Sequence, residues 1–396
     1  MLNTLDLTTE AILDEAIQFS QPLSDNIANP RGIFLTGATG FVGAYLLEEL
    51  LEKTTGDIYC LVRCSEKEAG KQRLRSHLQF YQLWQDKFCD RIIPLVGDLS
   101  QPLLGLSEEQ FSQLASQIDI IYHNGAKVNS VAPYSQLKPP NVLGTQEVLR
   151  LASIAKTKPV NFISSIAVFF SQAYGEADIV KETDIPVWDS GFKGGYKQSK
   201  WVAEKLVTIA QERGLPVSIY RAARILGHSK TGITGNLQDL LCSLIKGCIQ
   251  FGKFPLLDGN TNITPVDYIS KSIVYLSQQP ESLGKTFHVV NPHPIPWQEL
   301  FEEIIQLGYP LAGLPYEKWL IELKNHAFAH KDNALYPLLP LLLSSASALK
   351  SKKPDFDDSN TRAGLAKSEI VCHPVDKQLL TTYFSYFQNS GYLPLS

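Results

Sequence analysis

The sequence predicts an α/β fold with a doubly wound parallel sheet and a mostly helical C-terminal part. Short apolar runs rich in β-branched residues, such as "GIFLT", "DIYCLV" and "IDIIYH", alternate with segments of helical periodicity over roughly the first 225 residues. Apolar strands of this kind are buried on both faces, which indicates a parallel sheet covered by helices. Because crossovers are right-handed, a doubly wound sheet of the Rossmann type is the main solution.

Predicted strands and helices alternate regularly over roughly the first 225 residues and irregularly after them. Residues 1–30 are predicted to form a short amphipathic helix and an extended lead-in, and residues 31–230 the sheet domain. The stretch "TPVDYISKSIVYLSQ" is predicted to be a helix and "KTFHVV" a further strand, so residues 257–292 should return to that domain. Residues 231–256 and 293–396 should form a helical subdomain for substrate binding, in which "LYPLLPLLLSSASAL" is predicted to be a buried or lid helix.

Composition excludes several classes of protein. A net charge of −4 over 396 residues argues against broad binding to nucleic acid or anionic membranes. The six cysteines show no C-x-x-C pair, so we expect reduced thiols, no metal site and a cytoplasmic location. No apolar run of about 18 residues is present to span a bilayer, and the acidic N-terminus is unlike a signal peptide.

A glycine-rich turn lies between the first strand and the first helix. The stretch "TGATGFVG" has G-x-x-G-x-x-G spacing, which lets the backbone turn tightly and lets helix N-terminal N–H groups approach a pyrophosphate. A glycine turn without a ligand is the alternative, but the strand–turn–helix context favours dinucleotide binding. The residues expected at the cofactor are Thr36, Gly37, Thr39, Gly40, Phe41, Val42 and Gly43.

The end of the second strand predicts which dinucleotide binds. Arg63 stands twenty residues after the last glycine of the turn, where an acidic residue would bind the ribose 2′-hydroxyl of NAD. An arginine suits the 2′-phosphate of NADP, and Arg73 and Arg75 on the next helix can add to the same patch. All three could instead be solvated surface charges. We expect NADPH, with residues 31–230 as its binding domain.

Two further strand ends are expected to contact the cofactor. Asp98 and Leu99 in "VGDLS" follow the third strand, at the adenine end of the crevice. Asn124, Gly125 and Ala126 in "HNGAKVN" follow the fourth strand. Either stretch alone is an ordinary strand-to-helix turn, but their order after a glycine turn favours a cofactor role.

The fifth strand and the next helix supply a candidate catalytic set. Ser164 and Ser165 emerge at the carboxyl edge of the sheet, where open α/β sheets bind ligands. Tyr196 follows thirty-one residues after Ser165 in "GGYKQSKWVAEKLV", with Lys200 one helical turn further on the same face. Such pairs are common on exposed helices, and a strand-end serine often bonds its own backbone. Together with the glycine turn and Arg63, they predict that Ser165, Tyr196 and Lys200 are catalytic.

These three side chains suit a carbonyl reduction. A free tyrosine has a pKa near 10 and donates its proton reluctantly at neutral pH. We expect the Lys200 ammonium and the positively charged oxidised nicotinamide to lower the pKa of Tyr196. The Ser165 hydroxyl can hold the substrate oxygen while Tyr196 donates a proton and the cofactor a hydride. Tyr196 and Lys200 are also expected to contact the cofactor.

The chain resembles the extended short-chain dehydrogenase/reductases in "TGATGFVG", "GDLS", "HNGA", "ISS" and "YKQSK". More narrowly, it resembles the thioester reductase domains that terminate nonribosomal peptide and polyketide synthetases, and the reductase part of carboxylic acid reductases. This resemblance rests on "DLTTEAILDEAI", "GHSKTGITGNLQDLL", "FPLLDGNTNITPVDYISKSIVYLS" and the closing "GYLP", so it covers nearly the whole chain.

The resemblance implies NADPH-dependent release of an acyl or peptidyl thioester from the phosphopantetheine arm of a carrier protein, as an aldehyde or, after a second cycle, an alcohol. It implies the active-site roles given above for Ser165, Tyr196 and Lys200, and a helical part that faces the substrate and the carrier protein. A monomer would suffice for this activity. The chain shows no adenylation or carrier-protein motif, which suits a detached terminal module or a free-standing partner.

One departure and two alternatives remain open. In "YRAARILGHS", Ala222 and Ala223 stand where the family usually has proline and glycine, so the shape of this loop near the nicotinamide is not predicted. A nucleotide-sugar epimerase or dehydratase would use the same catalytic set but recycle NAD, and Arg63 and the helical tail count against it. A non-catalytic NADP-binding protein would keep the glycine turn without needing Tyr196 and Lys200.

Overall fold

Seven parallel strands form the central sheet of the computed structural model, which describes residues 6–24, 27, 29–189, 192–235, 237–344 and 354–395. The strands are β1 (Gly32–Thr36), β2 (Asp57–Val62), β3 (Ile92–Val96), β4 (Ile120–His123), β5 (Val160–Ser165), β6 (Val217–Ala222) and β7 (Thr286–Val289). Their order is β7-β6-β5-β4-β1-β2-β3, and every neighbouring pair is parallel. The chain changes direction across the sheet between β1 and β4, which confirms the predicted doubly wound class and marks the crevice where ligands bind.

Helices cover both faces of the sheet and form the C-terminal part. They are α1 (Phe41–Lys53), α2 (Lys67–Phe80), α3 (Glu108–Gln117), α4 (Tyr134–Lys138), α5 (Gly144–Ser153), α6 (Gly195–Glu212), α7 (Leu240–Phe251), α8 (Val266–Ser277), α9 (Trp297–Gln306), α10 (Tyr316–Ala329), α11 (Leu339–Ser344), α12 (Ser359–Leu365) and α13 (Lys377–Asn389). The core on one face contains residues of α3, α5 and α6, and the core on the other face residues of α1, α2 and α8. These buried cores hold the strand ends rigidly at the crevice.

A third core belongs to the helical C-terminal part. Helices α7, α9, α10 and α13 enclose it, and Trp319 is fully buried at its centre. A short parallel pair, Lys253–Leu256 with Ala312–Pro315, ties this part together. The predicted mostly helical C-terminal part is confirmed. Of the predicted leucine-rich helix, the structure describes α11 with Leu342 buried, and residues 345–350 lie outside the described range.

Two segments differ from the predicted organisation. The predicted N-terminal helix is only a four-residue 3-10 helix, Leu7–Glu10, which Asp6 caps by accepting from the Thr8 amide. The apolar side chains of this N-terminal segment, whose backbone is otherwise irregular, pack against the core of the sheet domain. The second segment, Asp355–Phe356, falls within the predicted helical subdomain but pairs with Ile179–Val180 beside the sheet.

Three structural findings bear on the compositional expectations. The described residues include no helix that is both long enough and apolar enough to cross a membrane. Within the same residues, no group of three or more histidine, cysteine or acidic side chains could hold a metal ion. All six cysteines are free thiols, as their spacing predicted.

Candidate active site

The glycine turn forms a backbone cradle at the N-terminus of α1. Gly37 has a φ of +74°, and a Cβ on it would lie 2.7 Å from the Gly125 Cα. A Cβ on Gly43 would lie 1.9 Å from the Gly37 carbonyl oxygen, so α1 packs directly on the turn. The Gly40 amide donates to the Gly37 carbonyl at 2.9 Å and closes the turn. These contacts leave no room for side chains, so the turn has the form that fits a pyrophosphate.

The end of β4 is held against this turn by a buried hydrogen-bond chain. The Thr36 hydroxyl accepts from the Gly125 amide at 2.9 Å and bonds His123 Nδ1 at 2.8 Å. The Asn124 amide group donates to the Gly37 carbonyl at 3.4 Å. A Cβ on Gly125 would lie 2.5 Å from the Leu99 side chain, so Leu99 closes over it. The structure therefore brings these predicted residues to one side of the crevice.

The predicted 2′-phosphate patch is only partly assembled. Arg63 is exposed at the end of β2, and the Arg73 guanidinium donates to the Arg63 carbonyl at 2.6 Å. Arg75 points elsewhere, since its guanidinium lies 5.0 Å from the Trp84 ring centroid and 4.0 Å from Asp86. Arg63 and Arg73 thus remain as the candidate pair for an anion.

Asp98 shapes the turn after β3. Its carboxylate accepts from the backbone amide and the hydroxyl of Ser100, both at 2.8 Å. Its own amide donates to the Leu104 carbonyl at 2.8 Å. The turn is thereby held at the carboxyl edge of the sheet, on the same side of the crevice as Arg63.

Two glycines position Tyr196 in the first turn of α6. Gly194 has a φ of +102°, and a Cβ on Gly195 would lie 2.4 Å from the Ala132 carbonyl oxygen. The helix therefore starts in close contact with the loop that follows β4, and this contact fixes the position of Tyr196 in the first turn. Burial raises the pKa of Tyr196 to about 12. The expectation that Lys200 lowers the pKa is not met in the protein alone, because burial dominates.

Lys200 lies under β5 rather than against Tyr196. Its ammonium donates to the Ile163 carbonyl at 2.7 Å and lies 4.2 Å from the Phe162 ring centroid. Among the described residues, no hydrogen bond joins Lys200 to Tyr196 or to Ser165. A buried ammonium needs an acceptor, and the strand carbonyl is the one within reach. Burial lowers the pKa of Lys200 to about 8, which Glu204 partly opposes.

Ser165 and Ser164 differ sharply in their surroundings. Ser165 ends β5 opposite Ala222, and its hydroxyl oxygen accepts from the Ala167 amide at 3.2 Å. That contact leaves the hydroxyl hydrogen available to donate. The Ser164 hydroxyl instead donates to the buried carboxylate of Glu204. Of the two serines, Ser165 is therefore the one able to donate into the crevice.

A buried ion pair beneath the site was not predicted from the sequence. Glu204 lies one turn beyond Lys200 on α6 and accepts from Arg221 Nε at 3.0 Å and Nη2 at 2.8 Å. The same guanidinium donates to the carbonyls of Glu182 and Asp184 at 3.2 and 2.9 Å. The pair links α6, β6 and the loop between β5 and α6. The only signal in the sequence is the i, i+4, i+8 spacing of Tyr196, Lys200 and Glu204.

Asn141, a second residue that was not predicted from the sequence, joins the loop after β4 to α6. A π-helical turn, Pro139–Leu143, joins α4 and α5 into one continuous helix. The turn is π-helical because its two prolines lack the backbone N–H that a regular α-helix needs. Within it, Asn141 accepts from the Lys127 amide at 2.7 Å and donates to the Ser199 hydroxyl at 2.9 Å. Ser199 in turn donates to the Tyr196 carbonyl at 2.8 Å. The string "PPN" is the signal that could have indicated this turn.

This chain is similar to a peptide synthetase and to reductase domains of such synthetases. The family model described as Male sterility protein matches residues 35–273. A linear gramicidin synthase of Brevibacillus parabrevis is 41% identical over 392 residues, which make up 98% of this chain but only 8% of that protein. The terminal R domain from the myxalamid PKS-NRPS biosynthetic pathway is 42% identical, with a TM-score of 0.92 and 99% of each chain covered. The reductase (R) domain of a nonribosomal peptide synthetase from Mycobacterium tuberculosis is 26% identical, with a TM-score of 0.80 over 98% of this chain and 99% of that domain.

These similarities agree with the cradle and the crevice described above. They confirm the predicted oxidoreductase class and a nicotinamide dinucleotide as the kind of cofactor. They also confirm the resemblance that the sequence motifs indicated. The chain belongs to the NAD-binding family described as Male sterility protein, and within it to the terminal reductase domains of nonribosomal peptide and polyketide synthetases, on the extended short-chain dehydrogenase/reductase fold.

Proposed function

We propose that the chain reduces an acyl or peptidyl thioester, carried on the phosphopantetheine arm of a carrier protein, to an aldehyde with NADPH. The observation that carries this proposal is the position of a dinucleotide cradle and three polar side chains, Ser165, Tyr196 and Lys200, along one carboxyl edge of the sheet. The similarity to synthetase R domains supports it. A second cycle on the same carbonyl would give an alcohol.

The cofactor would be held by the glycine turn and by the ends of β2, β3 and β4. Further residues proposed to line it are Thr36, Thr39, Phe41, Val42, Asp98, Leu99, Asn124, Gly125 and Ala126. When bound, the reduced nicotinamide supplies a hydride for the thioester carbonyl carbon. The absence of an acidic residue at position 63 supports NADPH over NADH.

Tyr196 is proposed to donate the proton. Reduction requires a protonated phenol at the start, and burial favours that form by raising the pKa of Tyr196 to about 12. Proton transfer to the carbonyl oxygen, with the hydride at carbon, gives a hemithioacetal. Its collapse breaks the carbon–sulfur bond, so that the products are an aldehyde and the free thiol of the arm. The Ser165 hydroxyl would hold the carbonyl oxygen during the transfer.

Lys200 is proposed to supply the positive charge that stabilises the phenolate left behind. Its position beside the Ile163 carbonyl, two residues before Ser165 on the same strand, supports this role. The neighbouring His123 cannot compete as a cation, because burial and the Lys200 charge lower its pKa to about 3. The ammonium is thus the cationic group below the reacting carbonyl.

Removal of the charge on Lys200 should limit the reaction at alkaline pH. Because the pKa of Lys200 is lowered to about 8, its charge is present at pH 7 and is lost as the pH rises through about 8. Tyr196 stays protonated in that range, so the loss belongs to Lys200. We expect kcat/KM for thioester reduction to decline through this interval, measured from initial rates across pH 6–10. A profile that stays level to pH 10 would contradict the role.

Arg63→Ala should weaken NADPH binding far more than NADH binding. The lost contact is a charge-assisted bond to the 2′-phosphate, worth about 1.5–3 kcal/mol, or roughly 10- to 150-fold in Kd. Titration of cofactor fluorescence measures both affinities. Arg75→Ala is the matched control, since its guanidinium is engaged with Trp84 and Asp86. Equal weakening of both cofactors in Arg63→Ala would refute the assignment.

A further inference from the structure

Arg224 lies at the edge of the proposed site and has no assigned role. It stands two residues beyond Ala222, whose backbone is in register with Ser165. Arg224 and Ile225 leave the main sheet and pair with Ile263–Thr264. The chain at this point therefore passes from the carboxyl edge of the sheet towards the helical C-terminal part.

Arg224 is partly exposed, and its guanidinium is not paired within the protein. Across the described part of the chain it makes no hydrogen bond and no ion pair within 4.0 Å, and its Cζ atom lies 5.9 Å from the centroid of the Trp297 ring. Asp239, at the N-terminus of α7, is near enough to interact electrostatically, but its carboxylate is used to cap that helix by accepting from the Cys242 amide at 2.7 Å. The N–H donors of Arg224 are therefore open to a ligand or to solvent.

The contrast with Arg221, three residues earlier, is informative. Arg221 has two bonds to Glu204 and two to backbone carbonyls, as expected of an arginine that holds a structure together. Arg224, by contrast, faces the junction where Trp297 and Asp239 approach from the helical part. A partly exposed donor fork without a protein partner beside this edge is available to bind a ligand.

We propose that Arg224 binds an amide carbonyl oxygen of the substrate, next to the thioester. This proposal rests on the proposed function. Two strand residues span only about 7 Å, so the backbone of Arg224 stands near the Ser165 edge. The phosphate of a phosphopantetheine arm is separated from the thiol by both amides of the arm and lies too far along it. Amide carbonyls lie nearer, either in the arm beside the thiol or in the acyl chain.

Four thioesters distinguish the two sources of that carbonyl. The acyl group is either an N-acetylaminoacyl group or a hydrocarbon chain of equal length. The thiol is either pantetheine or ethanethiol, so the four combinations carry an amide in the acyl half, in the thiol half, in both or in neither. Each preference, for the N-acetylaminoacyl group over the hydrocarbon chain or for pantetheine over ethanethiol, is measured as a ratio of kcat/KM values. In the Arg224→Gln variant, we expect one of these two preferences to fall by about tenfold or more. Loss of the N-acetylaminoacyl preference assigns the bond to the acyl chain, and loss of the pantetheine preference assigns it to the arm. An equal reduction for all four thioesters would overturn the inference.

Stability separates a ligand-binding arginine from a structural one. Removing an unpaired, partly exposed charge should leave the Tm of Arg224→Gln unchanged, whereas loss of a structural arginine would lower it. Arg224→Lys keeps the charge without the planar fork and should lose part of the same preference. Arg362→Gln, an exposed arginine paired with Asp358, is the control and should keep both preferences. A wild-type protein that reduces none of the four thioesters would instead refute the proposed function.

Discussion

Tyr196→Phe should lower kcat for thioester reduction by about 10²- to 10⁴-fold, the usual contribution of a general acid. The substitution removes only the phenolic hydroxyl, and the ring stays in the first turn of α6, positioned by Gly194 and Gly195. The NADPH Kd should therefore remain near the wild-type value. Stopped-flow measurement of NADPH oxidation in a single turnover isolates the chemical step from product release.

Another buried tyrosine provides the control for this variant. Tyr220 on β6 donates to the Asn161 side chain at 3.1 Å and lies away from the crevice in the core of the sheet. Tyr220→Phe also loses one hydroxyl but should reduce thioesters at close to the wild-type rate. If Tyr196→Phe turned over as fast as Tyr220→Phe, Tyr196 would not be the proton donor.

Glu204→Gln should destabilise the fold by about 3–5 kcal/mol, the cost of leaving a buried partner charge uncompensated. The Glu204 and Arg221 side chains are only 2% and 4% exposed, so water cannot replace the lost carboxylate. Because Arg221 also holds the loop between β5 and α6, thioester reduction should fall as well. Urea unfolding followed by circular dichroism measures the change in the free energy of unfolding.

An exposed ion pair of similar geometry gives the comparison. Glu322 bonds Lys253 at 2.6 Å, but both side chains are about a third exposed, at 32% and 38%. Glu322→Gln should leave the unfolding midpoint unchanged, since water screens such pairs. A Glu204→Gln protein as stable as Glu322→Gln would mean that the buried pair is not a stabilising element.

Much of the fold and site was predictable because the signals are local. The glycine turn is a short-range arrangement of strand, turn and helix, and Gly37 and Gly43 are required by contacts within it or with the next strand end. The doubly wound class of the sheet followed from handedness and from alternation along the chain. Ser165, Tyr196 and Lys200 were predicted from their order after the glycine turn, and their catalytic roles stay a prediction.

The unpredicted features depend on contacts between distant segments. Glu204 acquires its role only from Arg221 on β6 and Ser164 on β5, and its helical spacing from Tyr196 and Lys200 is the only nearby signal of it. The acceptor of Lys200 is a backbone carbonyl, which no side-chain pattern records. The return of Asp355–Phe356 to the sheet domain likewise depends on pairing with a strand far earlier in the chain.

The most direct test of the central claim compares NADPH oxidised with thiol released from a pantetheine thioester. The absorbance of reduced nicotinamide and a thiol-reactive dye follow the two in one cuvette, and chromatography identifies the carbonyl product. The account predicts one thiol for each NADPH oxidised while aldehyde is the product, with no thiol release when NADPH is omitted. Thiol release without NADPH, or a tightly held NAD and no net oxidation with any thioester, would contradict it.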